Sequence, residues 1–159
     1  MINLTGQESF SVKLVLEEAF VHIFISDTGS SVIVVYYLIN ENNSIYLQAA
    51  FLLPVLTGMM KQGLTSSSFS PVQEPQALVV APTRELAVQI FSDAKRFTHG
   101  TMLRPVVLYG GTSLGHQLRN VEQGSHIVVG TPGRLIDVIN KGKVIQFVFN
   151  GLCNVQFRM

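Results

Sequence analysis

The sequence of 159 residues has little of what several protein classes require. Its single cysteine, Cys153, excludes an internal disulfide framework and any zinc site built from several cysteines. The four histidines show no metal-ligand spacing with one another or with that cysteine, so no metal site is predicted. Charged residues make up 13% of the chain, about half of the share typical of soluble domains. The apolar stretches Phe20–Ile25 and Val32–Ile39 are too short to span a bilayer.

The remaining composition favours a folded chain whose basic charge lies in its middle. Apolar residues make up 47% of the sequence, which argues against intrinsic disorder. Residues 1–48 carry one lysine and five acids, whereas residues 49–143 carry nine lysines and arginines and five acids. The net charge of residues 49–143 is therefore +4. A nucleic-acid partner requires a positive surface, although this charge alone does not prove such a partner.

The middle of the chain repeats one pattern three times. The apolar runs 77–80, 106–109 and 127–129 are each followed by a turn and then by residues of helical periodicity. Runs without polar alternation are typical of strands that are buried on both faces of a parallel sheet. The alternation of strands with helices predicts an α/β fold, preceded by a helix over Ala49–Lys61. Residues 1–48 show no clean period beyond a candidate strand at 32–37, so both chain ends are predicted to be irregular.

Three loops follow these strands, and in an open α/β sheet ligands bind outside the carboxyl ends of the strands. Thr83 and Thr131 are predicted helix caps, and each cap is followed by an arginine, Arg84 or Arg134. Unpaired N–H groups and the positive dipole end at such helix starts suit phosphate. Arginine there opposes the dipole, and a bound anion would relieve that penalty. Ordinary capping explains each loop taken singly, but three loops at one sheet edge favour a phosphate-binding surface.

The amino-acid sequences of these loops resemble those of a known family. Residues 81–87, 109–111 and 131–135 match, in order and spacing, three motifs in the first RecA-like domain of DEAD-box RNA helicases. The flanking sequence resembles the Vasa subfamily. The resemblance covers Ala49 to about Val144. It implies an incomplete RecA-like parallel sheet flanked by helices, with residues 1–48 and 144–159 outside the family part.

The resemblance also implies a function. In that family these loops grip the sugar-phosphate backbone of single-stranded RNA without reading bases, and germline, cytoplasmic ribonucleoprotein granules are the expected location of the Vasa branch. The implied RNA-contacting residues are Pro82, Thr83, Arg84, Gly110, Gly111, Thr131, Pro132, Gly133 and Arg134.

The ATP chemistry of the family requires motifs that this sequence lacks. A P-loop ends in Gly-Lys-Ser/Thr, but the one Gly-Lys pair here, Gly142-Lys143, is followed by Val144. Of the three aspartates, Asp27, Asp93 and Asp137, none precedes a glutamate, so the acidic box is also absent. The family uses ATP and Mg²⁺, but neither is expected to bind productively to this chain. We therefore predict no ATPase or unwinding activity and no catalytic residue.

Two alternatives remain open at this level. The chain could be a truncated interaction segment, or it could be a gene-model artefact without a stable fold. Gln48 and Val144 stand where codons at splice junctions would lie, so both flanks could be retained intron sequence. In the family further strands pair with those present here, and their loss would leave apolar sheet edges open. Residues 20–39 or 145–149 would have to supply substitute strands.

Overall fold

The computed structural model describes the backbone of residues 10–16, 19–25, 33–39, 45–61 and 75–142, and the side chains of residues 48–61 and 75–142. The elements, in chain order, are β1 (Phe10–Leu16), β2 (Ala19–Ile25), β3 (Ile33–Ile39), α1 (Ile45–Lys61), β4 (Ala77–Val80), α2 (Arg84–Phe97), β5 (Pro105–Leu108), α3 (Leu114–Glu122), β6 (Ile127–Gly130) and α4 (Pro132–Asn140). Among the described helices, none combines the length and the apolar character needed to cross a bilayer.

The six strands form one sheet in the order β1-β2-β3-β4-β6-β5. Strands β3, β4, β6 and β5 run parallel to one another, with Val80 opposite Gly130 and Leu108 opposite Gly130 on its other side. Strands β1, β2 and β3 pair antiparallel. The predicted α/β class and its three strands are confirmed, since helices follow β4, β5 and β6 in turn. Burial on both faces holds for β4 and β6 but not for β5.

The prediction that residues 10–16 and 19–25 are irregular is wrong, because each forms a seven-residue strand. The candidate strand at 32–37 is confirmed as β3. These strands are rich in Val, Ile, Phe and Tyr, which favour pleated backbone. In β2 and β3 almost every residue is apolar, so they lack the polar alternation that marks a half-buried strand, whereas in β1 only Ser11 and Lys13 interrupt the apolar residues. The predicted irregularity of residues 143–159 lies outside the described residues.

Strand β3 supplies the neighbour that β4 needs. Its residues Ile33 to Tyr36 pair in parallel register with Ala77 to Val80, so this side of β4 is not an open edge. The other proposed substitute, residues 145–149, lies outside the described part of the chain. The strand at 33–39 therefore meets one condition that we set for a sheet without an open apolar edge.

The core lies in two layers, one on each face of the sheet. On one face, α1 and α2 pack through residues such as Leu52, Met59 and Ile90, all nearly or fully buried, against Ala77 and Val79. On the other face, α3 and α4 pack against the alternate strand residues Leu78, Val80, Val106, Leu108 and Val128. Successive residues of a strand point to opposite faces, so each central strand serves both layers.

Strand β5 differs from its neighbours because it lies at the end of the sheet. All four residues of β4 and of β6 are buried, whereas β5 alternates between half-buried and buried residues. The half-buried residues are Pro105 and Val107. Proline at the start of a strand is typical of sheet edges, because it has no N–H to donate.

Candidate nucleic-acid interface

The parallel pairing brings the three predicted loops to one edge of the sheet. Strands β4, β5 and β6 run in the same direction, so the residues after Val80, Leu108 and Gly130 lie at their common carboxyl end. The middle loop, Tyr109–Thr112, is contacted by an arginine from each of the other two loops. We call this segment the glycine loop.

The start of α2 follows the predicted capping arrangement. Thr83 has extended backbone angles, and its Oγ1 accepts a hydrogen bond from the N–H of Leu86 at 3.3 Å. Its carbonyl accepts from the N–H of Ala87 at 3.1 Å. Pro82, Thr83 and Arg84 are exposed, so the N–H groups of the first turn that Thr83 leaves unbonded are available to a ligand.

Arg84 lies against the glycine loop. The centre of its guanidinium is 4.7 Å from the centroid of the Tyr109 ring, which is within cation–π range. Such a contact positions the side chain without using its hydrogen-bond donors. Arg84 is exposed, and among the described residues it forms no salt bridge, so its donors can face a phosphate.

The start of α4 uses a different cap. Thr131 stands at the predicted N-cap position with extended backbone angles, and Pro132 is in the first turn of the helix, as predicted. However, the Thr131 side chain makes no capping hydrogen bond. Proline lacks an N–H, so the first turn has one fewer donor to satisfy.

Arg134 is held more firmly than Arg84. Its Nη2 donates to the carbonyl of Thr112 at 2.9 Å, which ties α4 to the glycine loop. Its Nε is buried and has no hydrogen-bond partner among the described residues. The first turn of α4 contains no acidic residue, so the positive charge and the dipole end reinforce each other there.

The shape of the glycine loop depends on Gly111 and Gln117. Gly111 has a φ of +80°, a conformation that residues with a Cβ rarely adopt. The buried Gln117 side chain accepts from the N–H of Tyr109 at 3.3 Å and donates to the Tyr109 carbonyl at 3.0 Å. It also bonds Thr112 Oγ1. Gly110 is exposed, and a methyl group there would meet nothing within 4 Å.

The structure thus brings all nine predicted residues to one edge, and it adds three that the sequence analysis did not assign a role: Tyr109, Thr112 and Gln117. Gln117 occurs on the otherwise apolar face of α3, one helical turn after Leu114. A polar residue at a buried helical position was the available signal, since such a residue needs a hydrogen-bond partner. The partners themselves required the loop geometry.

The described residues at the start of α1 lack the side chains that a P-loop uses for phosphate and metal. Strand β3 and helix α1 form a further strand-to-helix connection at this edge, and the helix begins at Ile45 rather than at the predicted Ala49. Its first residues, Ile45-Tyr46-Leu47-Gln48, include no lysine, serine or threonine. Gln48 is fully buried, and its amide has no partner within the described part of the chain. Nor do residues 48–61 and 75–142 contain a metal-binding group of three His, Cys, Asp or Glu side chains.

The histidine with a perturbed pKa lies at the other end of the strands. Burial, assisted by the nearby charge of Arg104, lowers the pKa of His126 below its usual 6.5. Its Nδ1 accepts from the N–H of Arg104 at 3.0 Å, which is compatible with a neutral ring. This residue therefore stabilises the fold and does not belong to the candidate interface.

Comparisons with a family model and with curated proteins agree on one family. The family model described as DEAD/DEAH box helicase matches residues 49–155. Relatives named probable ATP-dependent RNA helicase DDX4 are 55% identical in Bos taurus and 54% identical in Homo sapiens, each over 96 residues, which is 60% of this chain and 13% of the relative. A probable ATP-dependent RNA helicase named vasa-like, from Penaeus vannamei, is 44% identical over 97 residues.

The fold comparison agrees with the sequence comparison. The crystal structure of the yeast DEAD-box splicing factor Prp28 superposes with a TM-score of 0.59 at 26% identity. The superposition covers 70% of this chain and 28% of that one. The chain thus spans about an eighth of the length of the curated relatives that it matches.

Proposed function

Since the chain belongs to the DEAD/DEAH box helicase family, we propose that it contacts the sugar-phosphate backbone of single-stranded RNA at the carboxyl edge of β4, β5 and β6. The proposed contacts come from the three loops. They are Pro82, Thr83, Arg84, Gly110, Gly111, Thr131, Pro132, Gly133 and Arg134.

One observation carries this proposal: two arginines from different helix starts are held on the same glycine loop. Arg84 rests on the Tyr109 ring and Arg134 bonds the Thr112 carbonyl. Neither has a carboxylate partner among the described residues. Two uncompensated guanidinium groups on a common support, beside exposed helix starts, match the repeated charge of a nucleic-acid strand.

The contact is independent of base sequence. Phosphate and sugar contacts position a strand but carry no sequence information directly. The aromatic ring of the interface, Tyr109, is already covered by Arg84, so it is not the open stacking surface that bases use. RNAs of different sequence should therefore bind this chain with similar affinity.

We further propose that this chain does not turn over ATP or separate strands, although its relatives are named ATP-dependent RNA helicases. Its sequence has no Gly-Lys-Ser/Thr loop and no Asp-Glu-Ala-Asp box. These groups cradle phosphate and hold the metal ion in P-loop enzymes. A cytoplasmic location stays a prediction from the family resemblance.

The proposal is tested by titrating the purified chain with two unrelated fluorescent single-stranded RNAs at several salt concentrations. We expect similar affinities for both RNAs and a linear fall of log affinity with log salt, since bound phosphates release counterions. A phosphate-release assay with ATP, Mg²⁺ and saturating RNA should give no turnover above the enzyme-free control. No RNA binding by a folded sample would favour the alternative, a segment without this function.

A further inference from the structure

A second surface lies along the free edge of the sheet and ends at the glycine loop, since Tyr109 and Thr112 also line it. A cleft of about 790 Å³ runs beside β5, between α2 on one face of the sheet and α3 on the other. We call it the edge groove. Its walls include Phe91, Lys95, His99, Arg104, His116 and Asn120.

The floor of the edge groove is the free side of a strand. In the sheet order β5 has a neighbour, β6, on one side only. The carbonyls of Arg104 and Leu108 accept from the N–H groups of Ile127 and Thr131, so these residues face β6. Because strand residues alternate, the N–H and carbonyl of Val107 face the groove, together with the carbonyl of Pro105.

The length of this free edge is limited at both ends. Pro105 has no N–H, and the N–H and carbonyl of Tyr109 are taken up by the side chain of Gln117. The available groups therefore match an added strand of about four residues, at the usual rise of about 3.3 Å per residue. This length suits a short extended segment and not a folded domain.

The walls of the edge groove are basic. The lining residues include Lys95, Arg104, His99 and His116, and no aspartate or glutamate. Arg104 donates to the carbonyl and Oε1 of Gln123 at 2.8 and 2.7 Å, but both acceptors are neutral, and within residues 48–61 and 75–142 no salt bridge pairs it with a carboxylate. A ligand for this groove should carry negative charge.

The combination of a strand edge with basic walls discriminates between ligands. Alternating N–H and carbonyl groups match the backbone of a peptide, which binds by adding a strand. A second copy of this chain is a poorer match, because the strand at the other end of the sheet, β1, contains Lys13 and no acid. We propose that the edge groove binds an extended acidic peptide segment of a partner protein, which pairs with β5.

The test uses the full chain and a fluorescein-labelled hexapeptide with Glu at every second position and Thr or Val at the positions between. We expect saturable binding by anisotropy, and no comparable binding of the same peptide with Lys in place of Glu. Methylation of the backbone nitrogens on the face that pairs with β5 should weaken binding by about tenfold or more, since it removes the strand hydrogen bonds. Equal binding of the methylated peptide would overturn the proposal.

Two variants of the chain complete the test. Lys95→Glu should weaken the acidic peptide by about fivefold, whereas the matched change Lys61→Glu at the end of α1 should not. Val107→Pro removes an N–H that faces the groove and no bond to β6, so binding should be lost with the circular dichroism unchanged. If Val107→Pro does not fold, the methylated peptide decides. Displacement of the peptide by single-stranded RNA would contradict the proposal if the Arg84→Ala, Arg134→Ala variant still showed it, since that RNA would occupy the groove itself.

Discussion

The two ends of the parallel strands use similar side chains for opposite purposes. At the amino end, the carbonyl of His126 accepts from the N–H groups of Gln76 and Ala77 at 2.9 and 3.0 Å. The ring of His126 accepts from the N–H of Arg104, whose guanidinium in turn donates to Gln123. Polar groups at this end therefore bond mainly to one another.

At the carboxyl end, contacts hold the arginine side chains in place but leave some of their hydrogen-bond donors unused. Arg84 rests on an aromatic ring, and Arg134 uses one nitrogen to bond the Thr112 carbonyl. The caps Thr83 and Thr131 begin helices whose first turns still carry unbonded donors. The comparison teaches that an arginine marks a binding surface when its contacts orient it and leave its donors free. Four predictions test this contrast, ordered by expected effect.

The largest loss of stability is expected from a substitution at Gly130, where the carboxyl end of the sheet is closely packed. A methyl group there would lie 2.7 Å from Leu135 Cδ2 and 2.8 Å from the Leu108 carbonyl oxygen. Gly130→Ala should lower the free energy of unfolding by about 1–3 kcal/mol, the usual cost of overpacking. Urea denaturation measures it. Gly133→Ala is the control, since nothing lies within 4 Å there, and an equal loss in that variant would contradict the packing argument.

The next effect is expected at Gly111, whose φ is +80°. Gly111→Ala should cost about 1–2 kcal/mol of stability, because a Cβ opposes the left-handed conformation. RNA affinity should fall as well, since the loop that supports Arg84 and Arg134 changes shape. For the stability loss, Gly110→Ala provides the comparison, because its φ is not positive and its surroundings are open. Equal RNA affinity in the wild type and Gly111→Ala would remove the glycine loop from the interface.

A smaller effect is expected from the contact between Arg84 and Tyr109. Tyr109→Leu removes the ring that lies 4.7 Å from the guanidinium. A double-mutant cycle with Arg84→Ala, measured by RNA binding, should give a coupling energy of about 0.5–1 kcal/mol, the range for exposed cation–π contacts. Additive losses would show that the ring does not position Arg84 for RNA.

The smallest change in stability is expected from the protonation of His126, at the amino end of the strands. The pKa of His126 is lowered in the native state, so the unfolded chain binds a proton more readily. Stability should therefore be complete above the unfolded pKa of 6.5 and should decrease as pH falls from there toward the native pKa. Urea unfolding at pH 7.5 and 5.5 measures this. His126→Gln should show a smaller pH dependence, and an unchanged dependence would assign the effect elsewhere.

Much of the parallel half of the fold was predictable from the sequence. Strands β4, β5 and β6 are short apolar runs followed by capping residues, and both signals are local. Strands β1 and β2 were not predictable in the same way, because their polar residues Ser11, Lys13 and His22 are too few to set a period. Their antiparallel pairing, with each other and of β2 with β3, is not a local signal either. The position of β3 beside β4 depends on partners distant in sequence, which periodicity does not encode.

The candidate interface was predictable as a set of residues but not as an arrangement. Capping residues and glycines identified the three loops, because their role is set by local backbone geometry. The contacts of Arg84 with Tyr109 and of Arg134 with Thr112 join residues more than twenty positions apart. The missing side-chain cap of Thr131 shows the same limit, since Pro132 fits the first turn with or without that bond.

The most direct test of the account is the salt dependence of RNA binding by the double variant Arg84→Ala, Arg134→Ala. If both arginines contact phosphate, affinity should fall for every RNA sequence, and the slope of log affinity against log salt should decrease by about 1.4, or about 0.7 for each lost phosphate contact on single strands. The control variant Lys61→Ala, Lys141→Ala removes the same charge from two exposed positions at helix ends. It should leave the slope nearly unchanged. Wild-type affinity and slope in the arginine variant would contradict the account.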